Sequence, residues 1–182
     1  MLDTFTPREI AWMRRMLRQR LNTTLTSSAG RLFDAIASIL GLRQRVRFEG
    51  QAAMELEFAL DGVEMDEAYE TRLVASGDGP AIVDWGPLVH GVLDDCARGT
   101  AVGRVSAKFH NALAEVIVAV ARHVGEPRVV LTGGCFQNRY LTERSVRRLR
   151  EEGFRPYWHQ RVPPNDGGIA LGQVVAASRS TQ

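Results

Sequence analysis

Arg128-Val129-Val130-Leu131-Thr132-Gly133-Gly134-Cys135-Phe136-Gln137-Asn138 is the stretch whose reading decides the fold class. Glu126-Pro127 closes the preceding segment, the short β-branched apolar run suits a buried strand, and the glycine pair interrupts it. Helical spacing returns over residues 138–152, so a strand, a glycine turn and a helix follow one another. A second extended segment at 154–159 leads into the turn-rich Pro163-Pro164-Asn165-Asp166-Gly167-Gly168, and 169–178 reads as a closing helix. This β-α-β-α alternation predicts an α/β layer.

Upstream, residues 101–123 carry Val105, Phe109, Leu113, Val116, Ile117 and Val120 at helical spacing, which predicts a long amphipathic helix preceded by another at 86–98. Two short β-like runs, 71–75 and 81–85, flank Ser76-Gly77-Asp78-Gly79-Pro80 and predict a hairpin. The N-terminal part reads as helical. Ile10, Met13, Leu17 and Leu21 mark one helix over 7–21, and Leu32, Phe33, Ile36, Ile39 and Leu40 mark a second over 29–40. A third pattern runs from Gly50 through Met54, Leu56 and Phe58. The expected division is a mainly helical segment at 1–70 and an α/β lobe at 71–182.

Composition narrows the function classes. The chain has 182 residues, 45% hydrophobic and 24% charged, enough apolar material for a core. With 23 basic and 21 acidic residues, the balance of +2 provides no steering field for nucleic acid or a membrane surface. Lys108 is the one lysine among those basic residues, which excludes a Gly-Lys-Ser/Thr phosphate loop. Cys96 and Cys135 form no Cys-x-x-Cys, and His90, His110, His123 and His159 form no metal-binding pair by spacing. Residues 1–7 carry Asp3 and no apolar run with a cleavage site, so the expected location is the cytoplasm.

Several groups admit both a chemical and a structural reading. Gly133-Gly134 lets a ligand approach the backbone at a helix start, or simply makes a tight βα turn. Asp166 suits a cation site or a helix cap. Asp34, Glu49, Glu55 and Glu57 could bond a ribose or sit on a solvated face. Arg144, Arg147, Arg148 and Arg150 lie among Glu143, Glu151 and Glu152, a mixed-sign pattern that predicts a solvated helix face. His110 reads as a hydrogen-bonded helix residue, and Cys135 as a packing residue with no identifiable base.

Four blocks in order carry a family likeness. They are Thr26-Ser27-Ser28-Ala29-Gly30-Arg31-Leu32-Phe33-Asp34-Ala35, Phe48-Glu49-Gly50-Gln51-Ala52-Ala53-Met54-Glu55-Leu56-Glu57, Gly133-Gly134-Cys135-Phe136-Gln137-Asn138-Arg139 and Asn165-Asp166-Gly167-Gly168-Ile169-Ala170-Leu171-Gly172-Gln173. Together they resemble the HypF family of carbamoyltransferases of [NiFe]-hydrogenase maturation. The resemblance covers nearly the whole chain. It implies the second lobe of an actin/Hsp70-like (ASKHA, RNase H-like) domain, similar to the tRNA threonylcarbamoyl transferases, with a helical insertion.

The resemblance also implies roles. Asp34 and Glu55 would hold the adenosine, while Gly133, Gly134 and Asn138 would take the nucleotide against the helix start. Asp166 would be a ligand of a divalent metal. ATP and carbamoyl adenylate are the implied cofactors, and a HypE-like protein, through its C-terminal cysteine, is the implied acceptor. No general base is assigned. Where the related transferases have Gly-Gly-Pro, this chain has Gly50-Gln51-Ala52, and nothing here matches their His-rich first-lobe motif or the acylphosphatase-like, zinc-finger and YrdC-like regions. The expectation is one wall of a two-lobed site: a fragment, a short paralogue, or a lobe completed by a first-lobe partner. The competing expectation is a non-catalytic nucleotide-binding or scaffold lobe that forms homo-oligomers.

Overall fold

The computed structural model describes residues 4–74 and 79–180. It separates into two compact units, Met1–Phe58 and Ala59–Gln182.

In the first unit, α1 (Pro7–Gln19) starts at a capping box: the Thr6 side chain accepts from the Glu9 backbone, and the Glu9 carboxylate accepts from the Thr6 N–H at 2.8 Å. Helix α2 (Ala29–Ile39) is capped by Ser28 and buries Phe33, Ile36 and Ala37. It packs on α3 (Gln51–Phe58), which buries Ala52 and Leu56. Each such fully buried large apolar side chain contributes about 1.5–3 kcal/mol. Helix α1 buries no residue; Trp12, Met13 and Leu17 stay exposed.

The second unit is organised around α5 (Val102–Val124), whose apolar stripe supplies Val105, Phe109, Leu113 and Val118 to the core. Gly125, in the left-handed region at φ 76°, closes it. Before it come the antiparallel pair β1 (Arg72–Val74) and β2 (Ile82–Asp84), then α4 (Gly86–Ala97). Of the expected hairpin turn, 76–80, residues 76–78 lie outside the described residues, as does residue 75 of the first run. Strands β3 (Arg128–Leu131) and β4 (Arg155–Trp158) pair in parallel, Leu131 opposite Trp158, with α6 (Arg139–Glu151) as the crossover and α7 (Ile169–Ser180) after them. Leu131, Val118, Ala121, Val146 and Leu149 form the buried seam between α5, α6 and β3.

Two expectations are corrected. Arg144 does not lie on a solvated face: it is 6% exposed and paired with Asp66 at 2.5 Å, because α6 turns that side of its arginine run toward the 59–69 segment. The C-terminal turn is capped not by Asp166 but by Asn165, whose side chain accepts from the Gly167 N–H at 3.1 Å. Among the described residues no helix is long and apolar enough to cross a membrane.

Candidate functional site at the carboxyl edge of a parallel strand pair

In a parallel α/β layer, ligands bind beyond the carboxyl ends of the strands, where loops diverge. Here two loops leave that edge. One is Thr132-Gly133-Gly134 after β3; the other runs from His159 after β4 to Asp166. The Gly133 N–H donates to Pro164 O at 2.8 Å and ties the loops together. Gly133 has φ 104° and ψ 161°, a conformation that only glycine adopts easily.

Gly134 is different. Its φ is not positive, and a Cβ built on it would meet nothing within 4 Å. Neither backbone conformation nor packing within the described residues calls for glycine there. A ligand approaching the bare backbone would.

Asn138 stands at the start of α6 with both amide atoms hydrogen-bonded. Its Oδ1 accepts from the Leu141 N–H at 2.7 Å, the N-cap bond, and its Nδ2 lies 2.9 Å from His110 Nε2. His110 Nδ1 lies 2.8 Å from Ser106 O, a bond that requires the proton on Nδ1 and leaves Nε2 to accept from Asn138. Phe109 and Tyr140 meet the imidazole edge-on, and burial pushes its pKa down to about 4. His110 is thus the hydrogen-bonded helix residue its sequence position suggests.

Asp166 is exposed at the head of the short turn before α7. Among the described residues no group of three His, Cys, Asp or Glu side chains could hold a metal ion. The residues present therefore do not make a metal site by themselves. Burial pushes the half-buried Cys135 thiol up, away from the thiolate a nucleophile needs.

Asp34 and Glu55 fall in the first unit. Asp34 follows buried Phe33 on α2 and pairs with Arg31 at 3.0 Å. Glu55, on α3, accepts from Arg43 Nε at 2.9 Å and Gln51 Nε2 at 3.2 Å, and its second contact with Arg43 makes the pair bidentate. The Arg43 guanidinium holds the Glu55 carboxyl below its ordinary range, so it stays an acceptor at neutral pH.

Sequence reasoning missed one pair at the site. Thr132 Oγ1 and His159 Nε2 lie 2.9 Å apart, both side chains exposed. A usable signal existed: once β3 and β4 are parallel, the residue after each strand comes next in register, and those residues are Thr132 and His159.

A strand, glycine turn and helix with open backbone at the carboxyl edge is where parallel α/β layers place ligands. The family model described as "Carbamoyltransferase, Kae1-like Domain, second subdomain" matches residues 2–173. The chain belongs to this HypF carbamoyltransferase family, and its mixed helix and strand layout is the Kae1-like fold, consistent with an ASKHA-type domain. Carbamoyltransferase HypF of Synechocystis is 40% identical over 168 residues, covering 92% of this chain and 22% of that protein. Carbamoyltransferase HypF2 of Cupriavidus necator is 37% identical, covering 90% and 23%. A crystal structure of full-length HypF in a phosphate- and nucleotide-bound form superposes with a TM-score of 0.85 at 37% identity, covering 98% of this chain and 28% of that one. The chain thus spans between a fifth and a quarter of the length of these curated relatives.

Proposed function

We propose that this chain forms one wall of the site at which a HypF-type enzyme moves a carbamoyl group from carbamoyl adenylate to the C-terminal cysteine thiol of a HypE-like acceptor. In that step the bond from the carbamoyl carbon to the AMP phosphate oxygen breaks, a carbon–sulfur bond forms, and AMP and the thiol proton depart. In the second unit Gly133 and Gly134 bring backbone to the nucleotide phosphate and Asn138 holds the turn in place; in the first unit Asp34 and Glu55 are the acceptors that the family resemblance implies for the adenosine. Asp166 offers a single carboxylate to a divalent metal whose other ligands come from outside this chain.

The observation that carries this reading is Gly134, a glycine that neither conformation nor internal packing demands. A relative solved with phosphate and nucleotide bound supports the ligand class. Calorimetric titration of the chain with AMP and ATP is the test. Micromolar binding, about −8 kcal/mol, is expected, and absence of binding refutes a self-sufficient nucleotide wall.

A second reading rests on a different observation. Helix α7 exposes Ile169, Leu171, Val174 and Val175, and α1 buries nothing. Such apolar surface favours a scaffold lobe that pairs with itself or with a first-lobe partner. Light scattering separates the two: a dilute monomer that binds AMP fits the first, and an oligomer without AMP affinity fits the second.

A further inference from the structure

The proposed function gives the Thr132 and His159 pair no role, although both stand at the site. Both side chains are exposed, so the bond between them is not forced by burial. Their position follows from strand register: Leu131 faces Trp158, and the next residue of each strand meets at the carboxyl edge. Thr132 immediately precedes the glycine pair, and its neighbour Gly133 is tied to Pro164 on the loop that leaves His159. The imidazole therefore stands where the two loops of the site begin.

Resting on the nucleotide reading, we propose that His159 is a ligand-contacting residue that recognises a phosphate group lying over Gly133 and Gly134. In this proposal the Thr132 hydroxyl is the donor across its 2.9 Å contact with Nε2, the direction that leaves the imidazole proton on Nδ1. Among the described residues no hydrogen bond involves His159 Nδ1, so this N–H is the donor offered to a phosphate oxygen. Thr132 is a positioning residue: it sets the tautomer and the ring orientation without touching the ligand. A histidine placed one step beyond two parallel strands complements the bare backbone of Gly134, because that backbone offers a donor of fixed direction and the side chain adds one from a second direction.

The test is calorimetric titration of the full chain with AMP, inorganic phosphate and adenosine. His159→Ala is expected to weaken AMP and phosphate about tenfold, equivalent to about 1.4 kcal/mol, and to leave adenosine unchanged. Thr132→Val, which keeps the shape and removes the hydroxyl, weakens AMP about threefold, and Thr132→Ser restores it. Circular dichroism of each variant checks that the fold persists, as exposure of both side chains leads one to expect. If the unaltered chain binds AMP and His159→Ala binds it equally well, this inference falls while the nucleotide reading stands. Equal weakening of adenosine and AMP also overturns it, since the contact is then not with phosphate. An effect on inorganic phosphate alone overturns it too. If the unaltered chain binds neither AMP nor phosphate, both readings fall together.

Discussion

Asn138 and His110 share a buried hydrogen bond, Nδ2 to Nε2 at 2.9 Å, that links α5 to the N-cap of α6. The chain of bonds has one consistent direction. Ser106 O accepts from His110 Nδ1, His110 Nε2 accepts from Asn138, and Asn138 Oδ1 accepts from Leu141 N–H. A neutral imidazole is needed for that arrangement, because a protonated Nε2 would point a second donor at the amide NH2.

A pH dependence follows. In the unfolded chain His110 protonates near its ordinary 6.5, whereas burial keeps it neutral in the fold down to about 4. Between those values the unfolded state binds the extra proton, so stability falls as pH drops through this window. The total loss is about 3 kcal/mol. Urea unfolding at a series of pH values should show this slope, and His110→Gln should flatten it. A parallel decline in both proteins would assign it to other groups.

Asn138→Ala removes the cap of α6 and the hydrogen bond between Asn138 Nδ2 and His110 Nε2. A cap contributes about 1 kcal/mol and a hydrogen bond about 0.5–1.5, so a loss of about 2 kcal/mol in urea unfolding is expected. The resemblance assigns Asn138 to the nucleotide. With both amide atoms already committed, any loss of AMP affinity in this variant should accompany loss of stability, whereas lost affinity at unchanged stability would indicate direct contact.

The two glycines should respond in opposite ways. Gly133→Ala forces a Cβ into a φ of 104° and is expected to cost about 1–3 kcal/mol in thermal or urea unfolding. Gly134→Ala meets open space at ordinary φ, so stability should stay within about 0.5 kcal/mol. AMP affinity should nevertheless drop, because the methyl group occupies the approach to the backbone. Retained affinity in Gly134→Ala would remove the main support for the nucleotide reading.

Periodicity made much of this fold legible. The stripe from Val105 to Val120 marks α5, and the β-branched run at 128–131 with the glycine break marks β3 and its turn. Pairings between distant positions were not legible. Asn138 and His110 are 28 residues apart, and Arg144 reaches Asp66 across 78, so local charge pattern placed Arg144 in water while tertiary packing buried it. Likewise Asp166 and Asn165 are both good caps, and only the path of the turn selects Asn165.

The single lysine supplies the last prediction. Lys108 Nζ lies 2.6 Å from Asp95 Oδ2 and 4.4 Å from the centre of the Tyr69 ring, and Tyr69 O–H donates to the same oxygen at 2.6 Å. The bond from Lys108, followed by that from Tyr69, holds the Asp95 carboxyl below its ordinary value, while burial and the Asp95 contact push the Tyr69 phenol up. Gly91 makes room for the ring, since a Cβ there would come within 2.6 Å of Tyr69. Lys108→Met keeps the length of the side chain but leaves a carboxylate with 8% of its side chain exposed and without its close cation. Breaking such a pair costs about 3–5 kcal/mol, whereas Lys108→Met combined with Asp95→Asn should recover much of the loss. A double-mutant cycle by urea unfolding measures the coupling, and simple additivity would mean that the ion pair contributes nothing. The amine offers an independent check: an acetylating reagent should modify the native chain slowly at Lys108 and rapidly once denaturant opens the fold, read by mass spectrometry of the peptide that contains it.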